Sequence, residues 1–285
     1  MKKNYFLMQV STLLLVLLVC TNAFSQIDTS MKPGWNPRGT VSLNLSQMSF
    51  SNWTQGGDNS MSFASLGNFG VYYIHKQWDV SNKLKIAYGR AKTNDNYFTT
   101  DNELRFETVV IKKLGWKLNP YASNEVRTSL ANGFDYKTNP ATQIVAFFDP
   151  GYLTQSLGFI YAQKYISTRL GIGFQEVFTN KFNRYSADPD NPAEIKKFKF
   201  DSGIESVTET NFEFMKNMMY TGRLRLFSRF NSIDVWDVNF DNLIGAKVND
   251  YISVNFGVNV IYEKSQSMKT QVKEALQIGF SYVLF

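Results

Sequence analysis

Gln277-Ile278-Gly279-Phe280-Ser281-Tyr282-Val283-Leu284-Phe285 closes the chain, and Tyr251-Ile252-Ser253-Val254-Asn255-Phe256-Gly257-Val258-Asn259-Val260-Ile261-Tyr262 precedes it. In the second stretch Ile252, Val254, Phe256, Val258, Val260 and Tyr262 oppose Ser253, Asn255, Gly257 and Asn259, a period of two that belongs to a strand. One face is oily and the other wet. Such strands enter a bilayer only in a closed sheet, because an open edge leaves backbone groups unpaired in hydrocarbon. The expected fold class is therefore all-β, a closed antiparallel transmembrane β-barrel.

The same alternation recurs between turn signals along the chain, over Thr40–Phe50, Ser60–Ile74, Trp78–Arg90, Asn102–Lys112, Trp116–Arg127, Tyr152–Ala162, Tyr165–Phe178, Phe198–Asn211, Met218–Phe230, Val235–Val248, Tyr251–Tyr262 and Val272–Phe285. That is twelve strands, with ten to fourteen as the range, since Thr128–Pro150 holds apolar runs such as Ile144–Phe148 that extend a strand or form a loop element. Links after even strands are short, as at His75–Gln77 and Gln163–Lys164. Links after odd strands are mostly long (Ser51–Asn59, Ala91–Asp101, Thr128–Gly151, Thr179–Lys197, Glu263–Gln271), with Asn231–Asp234 the exception. Sorting by parity is expected of an even-stranded barrel with both termini and its tight turns on the periplasmic side.

Lys2 and Lys3, the apolar run Phe6–Val19 and the small residues of Ala23-Phe24-Ser25 form an export signal, so residues 1–25 read as a signal peptide and the mature chain as starting at Gln26. The alternative is lipid attachment at Cys20, against which Val19 stands where a small residue is usual. The run is shorter than the ~20 residues needed to span. Gln26–Gly39 reads as a periplasmic lead-in and 40–285 as the barrel, and the cell outer membrane of a Gram-negative organism as the location.

Cys20 is the one cysteine, so the mature chain has no thiol chemistry. Removing Lys2 and Lys3 takes the formal charge from +6 to +4, dispersed among acids, which gives nucleic-acid binding no support. An apolar fraction of 44% fits a barrel in which alternate residues face lipid, and 24 Phe with 15 Tyr suit its interface belts.

The phase Gln277-x-Gly279-x-x-Tyr282-x-Leu284, with Phe280, resembles the signal read by the barrel assembly machinery, departing from it in the out-of-phase Phe285. Gln47–Ser60, with Asn52, Trp53, Gly56, Gly57 and Asn59, and Phe148-Asp149-Pro150-Gly151-Tyr152-Leu153 resemble an uncharacterised family of Bacteroidota outer-membrane proteins with a Ser-Phe-x-Asn-Trp-x-x-Gly-Gly-x-Asn-Ser signature. The resemblance implies an outer-membrane barrel and brings no activity. Chemically, the signature is turn-forming, with Gly56-Gly57 free to take positive φ; the other reading is an external loop that folds inward or meets a partner.

Catalytic chemistry finds little support. His75 is the sole histidine and sits in a short turn with no nucleophile or carboxylate in a triad pattern. Cys and His are too few for zinc. Asp188-Pro189-Asp190-Asn191, and Asp234 with Asp237, lack calcium-loop spacing. No cofactor, metal or enzymatic activity is expected. The partners expected are membrane lipid, the assembly machinery and a small solute.

The lumen is more informative. With Leu224 and Leu226 facing lipid, Arg223, Arg225 and Arg229 turn inward; with Phe200 and Ile204 outward, Asp201, Glu205 and Glu209 do so too. A turn near Lys216 sets Glu209 opposite Arg223 and Glu205 diagonal to Arg225. Glu103, Arg105 and Glu107 join the interior, facing Lys83 and Lys85. Two readings stay open: a salt-bridge filling, or a constriction that selects solutes by charge.

Overall fold

The computed structural model describes residues 31–49, 59–93, 96–136, 138, 140–186, 196–264 and 269–284. Residues 1–25, read above as a signal peptide, most of the Asn52–Asn59 signature and Phe285 lie outside them. Twelve strands close into one antiparallel barrel: β1 (Gly34–Met48), β2 (Ser60–Ile74), β3 (Trp78–Thr93), β4 (Asn96–Lys112), β5 (Leu118–Thr128), β8 (Gly151–Ala162), β9 (Ile166–Phe178), β10 (Phe198–Met215), β11 (Met218–Arg229), β12 (Trp236–Lys247), β13 (Ile252–Tyr262) and β14 (Gln271–Val283). Each strand pairs with its neighbour in sequence, and β14 returns to β1 through Thr40↔Val283 to Leu45↔Ile278. The ring therefore has no free edge, which satisfies every ladder group internally.

Two further strands, β6 (Gly133–Asp135) and β7 (Thr142–Val145), form a hairpin of their own between β5 and β8. The apolar Ile144–Phe148 run thus belongs to a loop element and leaves the barrel count at twelve. The hairpin leans on the outward face of β4, where the Asn102 amide exchanges hydrogen bonds of 2.7 and 2.8 Å with the Ala131 backbone and the Thr99 N–H donates to the Tyr136 hydroxyl.

Two boundaries differ from the expectation. β1 begins at Gly34, inside the stretch read as a lead-in, because Gly34–Gly39 continues the ladder with β2. Pro37 is tolerated there: Gly39 accepts from the Leu284 N–H on the β14 side, so by alternation the imide of Pro37 points to that side too, beyond the last β14 pair. The link expected over Ala91–Asp101 is mostly strand, as β3 runs to Thr93 and β4 starts at Asn96. The Tyr97 ring, under the Arg90 guanidinium at 5.0 Å and the Lys92 ammonium at 5.4 Å, ties this extension together.

The turns after β2, β4, β8, β10 and β12 lie at the end where β1 begins and β14 finishes, whereas the short β3–β4 link lies at the other. Asn217 takes φ 63° in the two-residue turn between β10 and β11, a left-handed position that asparagine accepts. In the β12–β13 turn Lys247 Nζ donates to Asp250 at 2.9 Å and holds that carboxyl below its ordinary pKa. Packing is inverted relative to a water-soluble protein. Leu276 on the outer face is 64% exposed, whereas the Glu107 side chain, inside, is 7% exposed. A belt of exposed Leu157, Phe159, Leu170, Ile172, Phe200 and Phe256 surrounds a polar interior, the arrangement a hydrocarbon solvent selects.

Candidate functional site

Residues paired across a ladder share a face, so one side chain that reaches a distant strand fixes the face of its whole row. Lys83 Nζ on β3 meets Glu209 on β10 at 2.7 Å, and Arg105 on β4 meets Asp241 on β12 at 3.3 Å. These strands lie on opposite sides of the ring, so the contacts cross the bore. All eleven charged residues placed in the lumen by alternation lie on rows fixed in this way.

Glu209 stands opposite Arg223 in the register, and Arg225 Nε donates to the diagonal Glu205 at 2.8 Å. The main partners of Arg223 lie elsewhere: Glu125 on β5 at 2.6 Å, with Glu107 at 3.5 Å and Glu209 at 3.6 Å. Arg169 on β9 closes on Glu107 at 2.5 Å. Nearer the loop end, Arg229 is held between Asp201 at 3.0 Å and Asp237 at 2.8 Å, with Lys199 beside Asp201. Lys85 and Arg105 share Glu103 at 2.7 and 3.1 Å. Arg225 also donates to the Gln175 carbonyl at 3.0 Å.

Arg169, Glu125, Asp237 and Asp241 belong to this network although sequence reading did not single them out as lumen groups. The signal was present, since Leu170, Val126, Val238 and Phe240 face outward and set their neighbours inward. Below the network, Val109, Tyr121 and Ile160 make a small buried cluster, and Ser156 bonds Tyr121 and Ser123. Arg169, Glu107, Arg223, Glu125, Arg225 and Glu205 are desolvated, so each depends on its partners; an unpaired ion at such a place costs several kcal/mol.

The other candidates fall apart from this cluster. His75 lies exposed in the β2–β3 turn, where its Nδ1 accepts from the Gln77 N–H at 3.4 Å. Asp234 is exposed while Asp237 is engaged by Arg229, so that pair does not converge; Asp188–Asn191 lies outside the described residues. Among the described residues no three His, Cys, Asp or Glu side chains gather as metal ligands. Asn59 is exposed beside β2, and Phe280, Tyr282 and Leu284 stand exposed on the outer wall with Gly279 turned inward. Asp149, from the Phe148–Leu153 motif, is buried and accepts from the Asn180 and Lys181 N–H groups at 2.9 and 2.8 Å, which ties the β5–β8 loop to the β9–β10 loop.

A family described as a protein of unknown function (DUF3078) matches residues 45–134. No curated protein matches the chain. Among solved structures, the chain is similar to an outer membrane channel from Pseudomonas putida F1 at 8% identity and a TM-score of 0.41, covering 91% of this chain and 98% of that one. It is also similar to the translocator domain of the autotransporter NalP from Neisseria meningitidis, at 7% identity and a TM-score of 0.38 over 90% of each chain. OprB of Pseudomonas putida aligns at 7% identity and a TM-score of 0.34, over 87% of this chain and 94% of that chain.

Proposed function

We propose that the chain is a non-enzymatic integral outer-membrane barrel that gives small polar solutes a narrow, charge-lined passage. The observation that carries this is the pair of contacts across the bore, Lys83–Glu209 and Arg105–Asp241, inside a wall whose outer face is apolar. A twelve-stranded ring is wider than the eight-stranded kind that side chains fill and narrower than the open porins. Ion pairs spanning it leave a constriction, and fixed charge at a constriction governs what crosses. Export through a cleaved signal, insertion by the barrel assembly machinery and membership of a Bacteroidota outer-membrane family go with this reading.

The test is conductance. Folded protein in planar bilayers gives discrete current steps whose size changes in Arg223→Ala and Arg225→Ala. Silent bilayers with folded protein overturn the reading. One feature favours a second reading, a barrel that binds a partner through its outer loops: Asp149 fixes two of those loops together, and Phe147 stands exposed beside them. Co-purification of a membrane protein that is lost in Phe147→Ser supports it; a consistently solitary barrel refutes it.

A further inference from the structure

We infer that the water-filled part of the bore is off-centre, running against β13, β14, β1, β2 and β3, and that it admits small polar solutes with no preference for either sign of charge. The inference rests on the passage reading and says where the passage lies.

The Arg105–Asp241 contact divides the ring. On the side of β5, β8, β9, β10 and β11 the inward side chains are packed: Glu125, Thr154, Ser156, Arg169, Gln175 and Glu205 are all buried. The other side is wetter, although Asn44, Ala64 and Ala87 are buried there. Thr40 and Asn68, which share one inward row with Lys85 and Arg105, are exposed, and so is Lys273 toward the loop end. The ion pairs show the same split, since the Lys83 and Lys85 side chains are 37% and 30% exposed and those of Arg169 and Arg225 are 5% and 9% exposed. Exposure of an inward side chain means lumen water, because the outer wall lies on the opposite face.

The chemistry of the wet side is amide and hydroxyl, from Thr40, Ser42, Asn68, Asn255 and Asn259, which can replace the hydration of a polar solute without a field of one sign. Most of its charges come in opposed pairs, Lys83 with Glu209, Lys85 with Glu103 and Lys273 with Asp101 at 2.5 Å, and Arg38 in the row of Lys83 adds one further inward cation. Paired charges cancel at the distance of a passing solute, whereas a wall of one sign concentrates counter-ions.

Single cysteines report on this directly, because the only native cysteine is Cys20. Asn68→Cys and Asn259→Cys mark the wet wall, and Ser156→Cys and Gln175→Cys the packed side. Folded protein in liposomes is treated with a cationic and an anionic methanethiosulfonate reagent, with the parent chain as background and urea-unfolded samples as the control for thiol reactivity. The wet-wall thiols react at least about tenfold faster than Ser156→Cys, since a buried thiol waits for local opening. Each wet-wall thiol takes the two reagents at rates within about tenfold, the smallest factor expected of a one-sign field. Equal labelling of both sides overturns the placement, and a larger cation–anion ratio overturns the lack of charge preference. Should Gln175→Cys not fold, the near-isosteric Ser156→Cys carries the comparison. Labelling as expected in a barrel that never conducts sinks the passage and leaves the cleft; conduction with uniform labelling sinks the placement alone.

Discussion

Replacing Arg223 by methionine probes the network where it is most densely connected. The guanidinium touches Glu125 at 2.6 Å, Glu107 at 3.5 Å and Glu209 at 3.6 Å. Two of these acids keep other cations, as Glu107 retains Arg169 and Glu209 retains Lys83. Glu125 loses the cation that contacts it. It is buried, and stranding such a carboxylate costs about 3–5 kcal/mol. With an m-value of ~3 kcal/mol per molar urea, the unfolding midpoint falls by about 1–1.7 M. Arg223→Met/Glu125→Met removes both ions, and a buried pair replaced by apolar groups is roughly neutral, so the double variant regains most of the loss. The assay is urea unfolding of the barrel in lipid vesicles, followed by tryptophan fluorescence and by the gel shift of folded against heated protein. A fall of less than about 1 kcal/mol in Arg223→Met, the upper value for exposed pairs, or a double variant no better than the single, refutes the claim that the network is desolvated.

On the outer wall, Leu170→Arg is expected to cost about 2–4 kcal/mol in vesicles, as for a cation placed near the bilayer midplane, whereas Leu170→Ile stays close to the parent. Equal midpoints for the two variants would remove the lipid-facing assignment. Gly171 faces Gly158 at a close approach of β8 and β9, where an added Cβ would lie 2.2 Å from the Leu157 carbonyl oxygen. Gly171→Val therefore fails to give the folded gel band, while Gly257→Ala, with its nearest neighbour 3.8 Å away, gives it normally. Asp149→Ala frees the Asn180 and Lys181 N–H groups, so trypsin cuts after Lys181 faster than in the parent protein; an unchanged digestion rate would show that the loops are held otherwise.

Much of the wall was legible because period-two patterning needs only neighbours in sequence. β13 shows this best, with Val254, Phe256 and Val258 marking one face throughout. The β10–β11 register was legible for a similar reason, since counting outward from a turn centred on Lys216 pairs Glu209 with Arg223; the actual turn is 216–217, and a bulge between Glu213 and Met215 restores that count. The β3–β4 extension was hidden, as Thr93-Asn94-Asp95-Asn96 has the composition of a loop and only the Tyr97 stack with Arg90 and Lys92 reveals strand around it. The contacts across the bore were not legible at all. Arg105 and Asp241 lie 136 residues apart, and their meeting depends on ring closure and stagger, which no local pattern encodes.

The splice that completes the hoop is its shortest. β1 is zipped to β2 from Gly34 to Met48, yet to β14 only from Thr40 to Leu45. Backbone bonds in a ring act like staves under common tension, and rupture begins where the fewest must let go. Warming or pulling should thus part the cylinder between its first and last staves before any other pair separates. Insertion, run forward, should fasten that same junction last.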